Sequence, residues 1–186
     1  PLIALEGVKD AFFEEMVEFV VEGGKRKKGK IVALSEDKAV IQVFDATDEM
    51  SLKNTHTRLS GHPMEPGLSP EILGRTFNGL GEPVDGLGKI NPEVTLDVNG
   101  LPLNPCVREY PRNYIQTGIS AIDALTTLIR GQKLPIFSAS GLPHANLSAQ
   151  IARQAKVLGT DENFAVVFAA MGITFEESNF FIESFK

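Results

Sequence analysis

Lys133-Leu-Pro-Ile-Phe-Ser-Ala-Ser-Gly-Leu-Pro-His-Ala-Asn-Leu-Ser148 reads as an apolar strand that runs through a small-residue turn into the start of an apolar-periodic helix. A phosphate-binding loop has this local architecture. Its template, G-x-x-x-x-G-K-[ST], supplies glycines whose backbone N–H groups close on phosphates, a lysine for the β/γ charge and a hydroxyl for magnesium. Set on that template, Ile136 stands at the first glycine, Gly141 at the second, Leu142 at the lysine and Pro143 at the hydroxyl. Pro143 also takes away an N–H donor in the first turn of the helix, where an anion would collect. Ser138, Ser140 and His144 offer polar contacts but no permanent positive charge. The candidate site is therefore a degenerate loop of Ser138, Ser140, Gly141, Leu142, Pro143 and His144, expected to hold ATP or ADP weakly or not at all. An ordinary strand-turn-helix unit accounts for the same residues.

On both sides of this loop the pattern is that of an α/β domain. Ile119, Ile122, Leu125 and Leu128 recur at helical spacing, with Gly131 placed to stop the helix. Leu147, Ile151, Ala155 and Leu158 form one face of the next helix, and Gln150, Arg153 and Lys156 lie on its outer face. Phe164-Ala-Val-Val-Phe-Ala-Ala170 has the length and continuous apolarity of a parallel strand covered on both faces. Thr174-Phe-Glu-Glu177 fits a capping box for a last helix through Phe185. Strand, helix, strand and helix in this order predict a right-handed βαβ crossover in a doubly wound sheet. That sheet is expected to be incomplete, with no later strand ending in Asp to hold magnesium.

Residues 1–68 read as a β domain. A run within Glu14–Val21, then Lys30–Leu34 and Lys38–Phe44, are short strands separated by tight polar turns, which suggests a small barrel or sandwich. Phe12, Phe13 and Phe19 are expected in its core. Lys25-Arg-Lys-Lys28, with Lys30, reads as a solvated hairpin tip. From 71 to about 113 the chain is irregular, and Gly74–Gly88 packs five glycines and a proline into fifteen residues. Gly79-Leu-Gly81 lacks the third glycine of a dinucleotide fingerprint, because Val84 occupies that place. The expected division is a β-barrel domain at 1–68 and a partial α/β P-loop-like domain at 69–186.

Composition removes several function classes. A net charge of −6 argues against nucleic-acid binding, which needs a basic surface. The single cysteine, Cys106, excludes an internal disulfide and is expected as a half-buried structural thiol. His56 and His62 have no Cys or carboxylate at ligand spacing, so no metal site is expected. No apolar run reaches the length of a membrane span and no signal peptide is visible, which suggests an intracellular protein. A chain beginning at Pro1 reads as a fragment.

Several stretches together resemble the rotary ATPases, and most closely the non-catalytic B subunit of V-type and archaeal A-type ATPases and ATP synthases. They are Gly74-Arg75 with Asn78-Gly-Leu-Gly-Glu-Pro-Val-Asp-Gly86; Tyr114 with Ile115-Gln-Thr-Gly-Ile-Ser-Ala-Ile-Asp123; and Thr127 through the degenerate loop to His144. Gln150–Ala155, Phe164–Thr174 and, in the first domain, Lys38–Phe44 extend the match. The resemblance implies a β-barrel that joins a hexameric crown, followed by the opening part of a P-loop α/β domain. It implies alternation with catalytic A subunits, contact with central and peripheral stalk subunits, and a cytoplasmic position that meets the membrane only through the complex. In catalytic relatives a glutamate after the strand matching Phe164–Ala170 positions the attacking water. Ile173 stands there, and a buried aliphatic cannot polarise water. The expected role is regulatory and structural, supporting ATP synthesis or hydrolysis coupled to proton or sodium transport. The alternative, a P-loop enzyme with its own hydrolysis, would require Lys and Ser or Thr at positions 142 and 143.

Overall fold

The computed structural model describes residues 1–158 and 164–185, which divide by contact into units Pro1–Leu101 and Pro102–Lys186. The first unit is built on a curled five-stranded antiparallel sheet. Its strands are β1 (Leu2–Glu6), β2 (Met16–Val20), β3 (Arg26–Ser35), β4 (Lys38–Val43) and β5 (His56–Leu59), in the order β1-β4-β3-β2-β5. Alternation along the strands decides which face is buried. Val17 and Phe19 of β2, Ile31 of β3, and Ala39, Ile41 and Val43 of β4 point inward, and Ile3, Leu5, Val8, Ala11, Met50 and Leu59 pack against them. A register shift between Ile31 and Ala33 bends β3 and adds to the curl. Gly29 is required where β3 crosses β4, because a Cβ there would lie 2.6 Å from the Gln42 carbonyl oxygen.

Two expectations for this unit are corrected. The basic run is not a hairpin tip. The turn is made by Glu22–Gly24, where Gly23 and Gly24 take positive φ, and Arg26, Lys27, Lys28 and Lys30 lie in β3. Because Lys27 falls on the inward face it is only 8% exposed, and its ammonium donates to the Ala46 carbonyl and lies 3.6 Å from Glu49. Of the three phenylalanines only Phe19 is core. Phe12 and Phe13 precede β2 in a turn, outside the alternating register, and Phe13 is 61% exposed.

Residues 60–101 complete the unit with the short pair β6 (Gly67–Leu68) and β7 (Val94–Thr95). The glycine-rich stretch is held by a clamp. Arg75 donates to both Asp85 carboxylate oxygens and to the Gly88 carbonyl, and Asp85 also accepts from the Thr76 and Leu87 amides. The Arg75 hydrogen bonds hold the Asp85 carboxyl well below the usual carboxylate range.

The second unit contains β8 (Tyr114–Gln116), α1 (Ser120–Leu125), β9 (Leu128–Ile129), α2 (His144–Gln154), β10 (Lys156–Val157) and α3 (Phe175–Ser184). Its sheet, β10-β8-β9, is antiparallel throughout. Neither Leu134–Ala139 nor Phe164–Ala170 is a strand, which corrects the expected parallel crossover. A strand apolar on both faces needs partners on its edges and cover on each side. Among the described residues neither run has a paired strand, so Phe137 is 92% and Val167 94% exposed. Phe168 is the anchor of the second run, its ring 4.3 Å from that of Phe181 at a tilt of 34° and edge-on to Phe185 at 5.5 Å. Leu128 belongs to β9 rather than to a helix: α1 ends at Leu125, and the β-branched Thr126 and Thr127 lead into the strand. Likewise α2 stops at Gln154, so Ala155 and Leu158 lie beyond it. Cys106 is exposed in a short turn at Pro105–Val107, not half-buried.

Candidate functional site

The degenerate loop approaches as an irregular, largely exposed segment carrying Ser138, then turns at Ser140–Leu142. Gly141 takes φ +86, a conformation that favours glycine, and the Leu142 amide closes the turn on the Ala139 carbonyl at 3.3 Å. Pro143 is the N-cap of α2 and makes no side-chain cap. The structure thus brings Ser140, Gly141, Leu142, Pro143 and His144 together at one helix start and leaves Ser138 on the approach.

This helix start lacks groups that a phosphate loop uses. Pro143 has no N–H, and the His144 amide donates to the Leu142 carbonyl at 2.9 Å instead of outward. Leu142, at the lysine position, is an exposed aliphatic. A negative group also stands nearby. His144 Nε2 lies 3.5 Å from the Glu177 carboxylate, which brings an acidic side chain of α3 to the N-terminus of α2. Glu177 is fixed there by its own capping duty: it accepts from the Thr174 amide at 3.1 Å, and Thr174 Oγ1 accepts from the Glu177 amide at 3.2 Å. The Thr174 amide, with its hydroxyl and then His144 contributing, holds the Glu177 carboxyl below its ordinary range. A helix N-terminus favours one negative charge, and here a carboxylate of the chain itself lies beside it. Ile173, which precedes the cap, is 37% exposed rather than buried, and its side chain is equally unable to activate water.

In the stretch Ile115–Asp123, Ile119 and Ile122 read from the sequence as a helix face, but Thr117, Gly118 and Asp123 were given no role. In the structure they form a hydrogen-bonded knot that Gln154 of α2 joins. Thr117 is fully buried, and its amide and hydroxyl donate to Asp123 Oδ1 at 2.9 and 2.7 Å. The Gly118 amide donates to Asp123 Oδ2 at 3.0 Å, and Gln154, from the end of α2, donates to the Thr117 carbonyl at 2.8 Å. The Thr117 hydroxyl chiefly, then the amides and Tyr114, lower the Asp123 carboxyl. Burial, and then the charge of Asp123, raise the Tyr114 phenol. Gly118 sits at φ +76, where a Cβ would lie 2.5 Å from Gln154 Nε2. The only legible signal was the Thr-Gly pair six residues before an acid, which reads as a turn with a carboxylate cap.

His56 lies exposed on β5, and His62 Nδ1 pairs with the Pro63 carbonyl at 2.8 Å. Among the described residues no group of three or more His, Cys, Asp or Glu side chains is placed to hold a metal. None of the described helices is long and apolar enough to cross a membrane.

Two stretches match known family domains. Residues 1–55 match the beta-barrel domain of the ATP synthase alpha/beta family, and residues 118–186 match the nucleotide-binding domain of the same family. Together they span about two thirds of the chain. The fold class is accordingly an N-terminal β-barrel domain followed by the start of a nucleotide-binding α/β domain. The second match begins within the Thr117–Asp123 knot and contains the degenerate loop.

Proposed function

The chain belongs to the ATP synthase alpha/beta family, and from that premise we propose that it is the non-catalytic, regulatory B-type subunit of a rotary V- or A-type ATPase or ATP synthase. Family membership makes it an ATPase subunit of the F, V or A type. The finer reading rests on one observation: at the helix start where phosphate recognition requires a lysine, a hydroxyl and outward N–H groups, the chain has Leu142, Pro143 and an inward-turned His144 amide beside the Glu177 carboxylate. Such a subunit alternates with catalytic A subunits in a hexamer, contacts the stalk subunits, and shapes its neighbour's active site without turning over ATP itself. It meets the membrane, and serves proton or sodium transport, only through the complex, at its cytoplasmic side.

The test is the double substitution Leu142→Lys with Pro143→Thr in the assembled complex. It restores the lysine and the magnesium hydroxyl, so nucleotide binding per complex rises. Hydrolysis does not, because Ile173 offers no base. A gain in the number of hydrolysing sites would contradict the reading.

A further inference from the structure

We propose that a cleft of about 630 Å³ lined by Arg108, Tyr110, Arg112 and Arg130 is a binding site for a phosphate-bearing small molecule. It is separate in sequence from the degenerate loop and does not depend on the subunit's assignment. Its lining has three guanidinium groups and one carboxylate, Glu109, in a chain whose net charge is −6. Guanidinium is the side-chain cation best matched to phosphate, since its planar fork donates two parallel hydrogen bonds.

The walls are anchored in the fold rather than hanging from a loose loop. β8 and β9 pair at Tyr114 and Ile129, and the Arg130 amide continues that ladder by donating to the Asn113 carbonyl at 2.8 Å. Arg112 and Arg130 therefore both lie at the end of one ladder, Arg130 opposite Asn113 and Arg112 next to it in sequence. On the other wall the Arg108 amide donates to the Pro105 carbonyl at 3.2 Å, closing the turn that the Asn104 side chain caps through the Cys106 amide. Between the walls, Tyr110 is 92% exposed and offers a bare ring. The volume lies in the range of small-molecule sites and exceeds what a single phosphate needs. The remainder, beside the Tyr110 ring, suits a flat organic group carrying the phosphate. An open cleft of this size takes a small molecule, and an acidic protein segment is the competing occupant that the titrations separate.

The full chain is titrated with inorganic pyrophosphate, with phenyl phosphate, and with sodium chloride at matched ionic strength, following the arginine Nε–Hε resonances by NMR. The expected result is saturable binding of both phosphates, with shifts at Arg108 and Arg112. Arg108→Gln and Arg112→Gln each weaken pyrophosphate about tenfold, the loss of one charge-assisted pair. Tyr110→Ala weakens phenyl phosphate more than pyrophosphate, and His144→Ala changes neither. Both arginines are exposed, and far-UV circular dichroism checks that the variants retain the fold. The proposal is overturned if the response is unsaturable and equal to that of chloride, if the arginine variants bind as well as the parent, or if a glutamate-rich peptide of equal charge binds more tightly than pyrophosphate.

Discussion

The two units bury their apolar residues in opposite ways. In the first, every second residue of β2 and β4 points into one core, and Phe19, Ile31 and Ile41 are shielded completely or almost so. In the second, the two most apolar stretches, Leu134–Ala139 and Phe164–Ala170, form no strand and are largely exposed, while the order comes from two polar ties, the Thr117–Asp123 knot and the Thr174 capping box, and from a phenylalanine cluster that Phe168 makes with Phe181 and Phe185. An alternating strand can satisfy itself against its own sheet. A strand apolar on both faces depends on cover from elsewhere, and its sequence says nothing about where that cover comes from.

The largest expected effect separates the units by truncating equally apolar side chains. Phe19→Ala removes a filled core position and costs about 3–5 kcal/mol. Phe137→Ala and Val167→Ala, at exposed positions, stay within about 0.5 kcal/mol. Denaturant unfolding checks both, and equal losses would erase the contrast. Next in size is Gly118→Ala, which forces a Cβ into the left-handed region and onto Gln154, at a cost of roughly 1–3 kcal/mol confined to the second unit. Hydrogen exchange should show α2 and β8 opening while β2–β4 keep their protection.

A smaller effect should appear with acid. Asp85, Asp123 and Glu177 all have carboxyls lowered in the folded state, so the stability they contribute is fully present above the ordinary carboxylate pKa of about 4. It fades as pH falls below that value and through the depressed folded ones. Lowered carboxyls occur in both units, with Glu49 and Glu82 joining Asp85 in the first. The second unit is expected to loosen first on acidification because, of its described apolar side chains, only Ala149 and Phe181 are buried. Circular dichroism and phenylalanine-cluster NMR signals between pH 6 and 2 follow this. Unchanged behaviour of the second unit at pH 3 would mean that its polar ties contribute little.

What the sequence disclosed follows the same division. Of the five strands of the first unit, β2, β4 and part of β3 were readable as short β-branched and aromatic runs, whereas β1 and β5 were not; the Thr174 box was readable because its two partners lie three residues apart. Lys27 was misread because charge suggested solvent, whereas the strand register turned that one lysine inward to the Ala46 carbonyl. The parallel strands were expected from apolarity alone, which specifies burial but not a neighbour. At the candidate site the missing lysine and hydroxyl were legible residue by residue. The Glu177 carboxylate beside His144 was not, because it arrives from another helix 33 positions along the chain. The Gln154 tie to Thr117 was hidden for the same reason.

The central functional claim is that the Gly141–His144 turn is a phosphate loop in outline only. Calorimetric titration of Mg-ATP into the full chain tests it most directly. Without the lysine, the hydroxyl and the outward amides, each 1.4 kcal/mol of lost recognition weakens binding tenfold, and the account predicts a dissociation constant no tighter than about millimolar. A micromolar constant, abolished by substitutions at Ser140 and His144, would contradict it.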